Sequence, residues 1–170
     1  DVIGTLAVTE DLFAPSKDNI KLSCESGKID GKKIAVPDAS IATHALVVAK
    51  SEKGICLQIA DLSNEGVSIE HQENIDESRG HFSITFDGVD TQAIGDEISG
   101  WDIYESIINQ AAVLFAYEQI GGSQASLDMA VNYAKERYAF GRPIGSYQAI
   151  KHKLADMYIA LTLAKSNCYY

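Results

Sequence analysis

The chain has 170 residues, 46% hydrophobic and 22% charged, with a formal net charge of -10, a composition able to bury a core in one or two small domains. An acidic chain without a basic stripe repels phosphate backbones, so nucleic-acid binding is not expected. No apolar run of about 18 residues occurs and the N-terminal DVIGTLAVTE lacks the charged and apolar regions of a signal peptide; the default expectation is a cytoplasmic protein.

Residues 1–98 read as short β-branched runs broken by turn residues: VIGTLAV, IKLSC, KIDGKKIAV, HALVVAK, GICLQIAD, GVSIEH and HFSITFDGV. Their spacing of roughly 8 to 12 residues predicts an antiparallel barrel or sandwich. In KIDGKKIAV, Asp30-Gly31 suits the left-handed conformations of a two-residue turn and predicts a hairpin there. Alternation in HFSITFDGV places Phe82, Ile84 and Phe86 on one face.

From Ser99 the period changes. Ser99 and Asp102 have the spacing of a helix-opening cap, and no proline follows before Pro143, which predicts one long helix running toward Arg137. Within it, residues 111–117 (AAVLFAY) are apolar all round and are expected to be enclosed by protein. Gly121, Gly122, Ser123, Ala125 and Ser126 offer a small-residue surface. Gly141 and Pro143 act as stops, and a second helix is expected from near Ser146, with Ile150, Leu154, Met157, Leu161 and Ala164 as its apolar stripe. The sequence closes on SNCYY with no stop signal, so its end is expected within that helix. Two helices alone leave too much apolar surface for a domain, so the fold expected is α+β: a β domain over 1–98, then over 99–170 the long helices of an incomplete four-helix bundle that either oligomerises or belongs to a longer protein.

Charge divides the same way: residues 1–98 carry 8 basic and 18 acidic side chains, and 99–170 carry 6 of each. The basic ones gather at Lys135, Arg137, Arg142, Lys151 and Lys153. Cys24, Cys56 and Cys168 lack disulfide or zinc spacing, and His44, His71, His81 and His152 are scattered, so reduced thiols and no metal site are expected.

The stretch AVNYAKERYAFGRPIGSYQAIKHKLADM, residues 130–157, resembles the signature of the acyl-CoA dehydrogenase family: Ala130, Tyr133, Arg137, Phe140, Gly141, Ile144, Gln148, Ile150, Leu154, Ala155 and Met157 stand at its fixed offsets. Val8 to Glu10 is similar to the start of the family's flavin loop, and HFSITFDGVDT to its last β segment. The resemblance implies an FAD-dependent enzyme that converts an acyl-CoA thioester to its trans-2-enoyl form and passes electrons to electron-transferring flavoprotein. It also implies that Arg137 and Gln148 reach the flavin nucleotide of a neighbouring subunit, with Phe140, Ile144 and Tyr147 around the adenosine and Val8, Thr9 and Ser16 on the flavin side. The residue types agree: a guanidinium is a permanently charged fork suited to a diphosphate, and a cofactor site needs apolar walls. A cation in the last turn of a helix is also favoured by the helix dipole without any ligand.

The resemblance implies that the family's catalytic glutamate usually lies on a late bundle segment, beyond residue 170, and in some members on the first long helix instead. Ala111 stands where some members carry it, and Glu118 reads as an interhelical hydrogen-bonding group more readily than as a base. The family's glycine-rich loop is replaced by DLFAPSKD, with bulky Leu12 and Phe13 and rigid Pro15, which predicts a reshaped or filled flavin-ring pocket. Ala35 and Pro37 fall where the family has tryptophan and threonine. Loss of ring contacts beside a surviving nucleotide signature points to a partner subunit of a heteromeric enzyme, similar to the actinobacterial steroid-degrading type. A catalytically complete enzyme seen in part and a structural subunit without cofactor are the alternatives.

Overall fold

The computed structural model describes residues 1–76 and 78–169 and resolves into two compact units, 1–106 and 107–170. The first holds seven strands: β1 (Gly4–Ala7), β2 (Ser23–Glu25), β3 (Lys28–Pro37), β4 (His44–Lys50), β5 (Ile55–Asp61), β6 (Val67–Gln72) and β7 (His81–Ile94). They run β1-β4-β2-β3-β7-β5, and a further β4–β5 ladder closes the sheet on itself, with β6 added beside β7. The expected barrel is present. Its pairing is mixed, because β4 runs parallel to both β1 and β2.

Closure gives each strand one inward face. Phe82, Ile84 and Phe86 of β7 are buried together with Ile29, Val36, Val47 and Leu57, as the alternation of β7 requires. Burying such side chains stabilises by about 1.5–3 kcal/mol each.

The predicted hairpin at Asp30-Gly31 is not there. The turn is Ser26-Gly27, both left-handed (φ 52 and 80), joining Glu25 to Lys28 in the β2–β3 ladder, and these are the angles of a primed two-residue turn. Gly31 instead sits at a register shift within β3, where an added Cβ would lie 3.1 Å from Leu22 Cγ and 3.2 Å from Leu22 Cα. Its glycine admits a neighbouring backbone.

Helix α1 (Gly100–Glu136) has 37 residues, about 55 Å at 1.5 Å per residue. Its start is seated in the first unit: Trp101 is buried and its indole N–H donates to Glu105 Oε1 at 2.6 Å. The entry is set less by Ser99 and Asp102 acting together than by Asp96, whose Oδ1 accepts the N–H of Ser99 at 2.7 Å and of Ile98 at 3.2 Å, while Asp102 pairs with Lys17 at 3.1 Å.

In the second unit α1 continues, then a two-rung hairpin forms from β8 (Tyr138–Ala139) and β9 (Arg142–Pro143), followed by a 3-10 turn (Ile144–Ser146) and helix α2 (Gln148–Asn167). Helix α2 ends at Asn167 with Cys168 as its C-cap; Tyr170 lies outside the described residues. Small residues on α1 (Ala116, Gly122, Ser123, Ser126) and Met157, Leu161 and Ala164 of α2 line a groove of about 880 Å³. Contrary to the expected enclosure of residues 111–117, Val113, Leu114 and Phe115 are 49%, 72% and 50% exposed in this chain, because two helices cannot cover an all-round apolar segment. No described helix is long and apolar enough to cross a membrane.

Candidate functional site

The signature residues converge on the turn between α1 and α2. Phe140 and Gly141 are its tip, both left-handed (φ 52 and 79), flanked by the pairs Ala139↔Arg142 and Tyr138↔Pro143. A primed turn is comfortable for glycine and costs a bulky L-residue about 1 kcal/mol. Phe140 nevertheless occupies it and is 96% exposed, so its ring contributes nothing to its own fold that would offset the strain.

Several contacts fix this turn to the helices. Arg137 N–H closes α1 on Tyr133 O at 2.8 Å, and Ile144 N–H donates to Arg137 O at 2.8 Å. Gly145 approaches α1 so closely that a Cβ would meet Ala134 O at 2.8 Å. Tyr147 Oη donates to Ala139 O at 2.9 Å, and the Arg142 guanidinium lies 4.1 Å from the centre of the Tyr147 ring, a cation–π contact. These contacts tie the corner to both helices.

Its electrostatics are unbalanced. Among the described residues no ion pair involves Arg137, Arg142, Lys135, Lys151 or Lys153. Helix α2 begins without a side-chain cap, leaving first-turn N–H groups and the positive end of its dipole at the same place. Ile144 and Tyr147 are half-buried, whereas Arg137 and Gln148 are exposed. The hydroxyl of Ser146, in the same turn, is enclosed and has no hydrogen-bond partner among the described residues.

Val8, Thr9 and Ser16 belong to the other unit, at the exit of β1. Val8 is buried and Thr9 and Ser16 are half-buried. Sequence reasoning missed what holds them. Lys33, wholly buried in the barrel, pairs with Glu10 Oε1 at 2.7 Å, the Glu10 side chain being 8% exposed. Lys33 also donates to Val8 O at 3.0 Å, and Glu10 accepts the N–H groups of Lys21 (2.7 Å) and Leu22 (3.0 Å). Burial pushes the Lys33 ammonium below its ordinary pKa, and its hydrogen bond and attraction to Glu10 act the other way. A lysine inside an alternating strand was the available signal; the β3 bulge between Lys33 and Val36 hides it by breaking the period.

The loop that follows is ordered by Asp11 Oδ1 accepting Phe13 N–H at 2.9 Å and Asn19 bridging Ser16 N–H and Ala14 O, each at 2.8 Å. Leu12 and Phe13 are 98% and 75% exposed, so neither side chain packs into the core of its own unit. Ala35 is left-handed (φ 52) with its N–H donated to Gln72 Oε1 at 2.8 Å, and the Pro37 carbonyl accepts the Thr5 hydroxyl at 2.6 Å. On α1, Ala111 carries no acid and Glu118 is engaged within the structure.

Comparison with known proteins agrees with this anatomy. Residues 99–170 match the acyl-CoA dehydrogenase C-terminal domain. Acyl-CoA dehydrogenase IpdE2 of Mycobacterium tuberculosis (strain ATCC 25618 / H37Rv) is 50% identical over 60 residues, 35% of this chain and 19% of that protein. Among solved structures, a steroid ACAD named Tcur3481-Tcur3483 superimposes with a TM-score of 0.79 at 27% identity, over 98% of this chain and 45% of that one. A glutaryl-CoA dehydrogenase from Mycobacterium smegmatis in complex with FADH2 shares the fold with a TM-score of 0.90 at 19% identity, over 98% and 45%. The chain thus spans under half the length of these proteins. With its signature turn, its barrel and these relatives in agreement, the chain belongs to the acyl-CoA dehydrogenase family.

Proposed function

We propose that the chain is part of an FAD-dependent acyl-CoA dehydrogenase and serves as a partner subunit, offering its α1–α2 turn to a flavin nucleotide at a subunit interface. The observation that carries this reading is the corner itself: an Arg137 guanidinium without an ion pair among the described residues, beside a fully exposed Phe140 held in a strained conformation. Strain of this kind is retained where something outside the chain rewards it.

The residues present fit the charged end of the dinucleotide. Arg137 and the uncapped start of α2 suit a diphosphate, Gln148 can donate and accept, and Phe140, Ile144 and Tyr147 supply apolar surface. The fit to the flavin ring is poorer: Val8, Thr9 and Ser16 remain, but the glycine-rich loop, the tryptophan and the threonine are replaced by Leu12-Phe13, Ala35 and Pro37. That asymmetry supports a division of labour, as does the two-part name of the steroid ACAD relative.

When bound, FAD would take up the β-hydrogen of the acyl-CoA with its electron pair. This chain's share is to neutralise the diphosphate and wall the adenosine, with the Val8–Glu10 turn and Ser16 left to meet the flavin ring; the base that removes the α-proton is assigned to no residue of it. Electron-transferring flavoprotein is the acceptor implied by the family.

The chain should be purified alone and together with the product of the neighbouring reading frame, and its absorbance recorded across the flavin bands. Yellow only in the complex is the expected result. Yellow alone would favour an enzyme with a complete site, and a colourless complex would overturn the reading.

A further inference from the structure

We propose that the buried Lys33–Glu10 pair is a positioning device for flavin binding, holding the Val8–Glu10 turn so that its backbone N–H groups face a ligand. This rests on the flavin reading above and adds to it two side chains, those of Lys33 and Glu10, that act through the backbone they hold.

The Val8 carbonyl is held by Lys33 Nζ at 3.0 Å, and the Thr9 carbonyl by Ile34 N–H at 2.8 Å. Both peptides are trans, and a trans peptide sets its N–H opposite its C=O. Each N–H, of Thr9 and of Glu10, is thereby turned away from the β3 group that holds the carbonyl of its own peptide. Two adjacent donors so oriented suit the carbonyl oxygens of a flavin ring, or another planar acceptor of that kind.

The pair is an expensive way to hold a turn if stability were its only purpose. Lys33 is 0% exposed, and among the described residues its close acceptors are Val8 O and Glu10 Oε1. Buried ion pairs can generally be replaced by neutral residues of similar size at little cost to stability. Geometry is what the neutral replacement would lose: an ammonium fixes the Val8 carbonyl and Glu10 together, while Glu10 also grips Lys21 N–H and Leu22 N–H on the far side of the loop. Three separate segments, residues 8–10, 21–22 and 33, are thereby locked at one point. Glycines are absent from this loop, so the pair supplies order at the place where the family's backbone approach to flavin is otherwise weakened.

The test uses the assembled protein with its partner, comparing wild type with Lys33→Met/Glu10→Gln. That double substitution leaves no buried charge, and the amide carbonyl it introduces at position 10 can still accept a loop N–H. Added FAD is titrated and followed by visible absorbance and induced visible circular dichroism, with far-ultraviolet dichroism and melting recorded in parallel. The expected result is a cooperatively melting variant with at least tenfold weaker FAD retention and an altered visible dichroism band. A folded variant with wild-type affinity and spectrum overturns the inference while leaving the flavin reading intact; a wild-type assembly that binds no FAD overturns both. Should the double variant not fold, Lys33→Met, in which Glu10 keeps its two N–H donors, is measured in the same way at low temperature. Failure of both to fold would overturn the inference, since the pair would then serve the barrel as a whole.

Discussion

Gly100→Ala sets two effects of opposite sign against each other at the first residue of α1. Intrinsic helix preference favours alanine over glycine by about 1 kcal/mol. Sterics oppose it: the new Cβ would lie 2.4 Å from Cys56 C, 2.5 Å from Cys56 Cα and 2.6 Å from Leu57 N. These are backbone atoms of β5, where Cys56 and Leu57 are 1% and 0% exposed, inside a strand paired on both sides by β4 and β7. Neither a rotamer change nor a small strand shift can relieve the clash, so the start of α1, with Trp101, must move off the barrel. Overpacking typically costs about 1–3 kcal/mol, and displacing a buried Trp adds to that, giving a net loss of about 2–4 kcal/mol after the helix gain. Urea unfolding of wild type and variant, read by tryptophan fluorescence of the sole Trp, measures it. Equal or greater stability of the variant would refute the reasoning, because it would show that the helix start is not seated against β5.

The remaining predictions address the turns, the thiols and the acid limb. Gly27→Ala, at φ 80 in the Ser26-Gly27 turn, should cost about 1 kcal/mol, measured by the same urea curves. Phe140→Asn should stabilise the isolated chain by about 0.5–1 kcal/mol, since asparagine tolerates left-handed angles, yet weaken FAD binding in the assembly; no change in FAD affinity would remove Phe140 from the site. Burial, followed by interaction with the neighbouring Cys56 thiol, pushes the Cys24 thiol up to about 11 from 9.0. The unfolded chain therefore releases this proton first: the contribution to stability is present below about pH 9 and is lost as pH rises toward the folded value. Iodoacetamide at neutral pH should accordingly label half-buried Cys168 well before Cys24. Hydrogen bonds from Ser63, Ser78 and Ser99 hold Asp61, Asp76 and Asp96 below the ordinary 3.8. Their contribution is present above that pH and lost as pH falls through the depressed folded values, so Asp96→Asn should flatten the acid limb of the stability profile.

How much was legible in the sequence follows from how local each feature is. Strand runs announced themselves because a barrel buries one face of each strand, so Phe82, Ile84 and Phe86 keep a strict period. Helix α1, expected to run toward Arg137 and ending at Glu136, was equally readable, since propensity and punctuation act within a few residues. The β2–β3 turn was misplaced because Asp-Gly and Ser-Gly are both good turn formers, and only the packing of Leu22 against Gly31 decides between them. Parallel pairing of β4 with β1 and β2 depends on closure of the sheet, which no local run encodes. Residues 111–117 looked like core, yet Val113, Leu114 and Phe115 are exposed in this chain, because their period reports the need for cover without saying what supplies it. Arg137, Phe140 and Gln148 were singled out as candidates through fixed offsets in one short stretch. Lys33 and Glu10 were missed because their partnership spans 23 positions and a bulge interrupts the strand between them and their core neighbours.

Affinity of the assembled protein for FAD with Arg137 intact and with Arg137→Ala tests the central claim most directly. A charge-assisted hydrogen bond to a diphosphate contributes about 1.5–3 kcal/mol, so titration at moderate salt should show roughly 10- to 150-fold weaker binding in the variant. Identical dissociation constants for the two proteins would contradict the account.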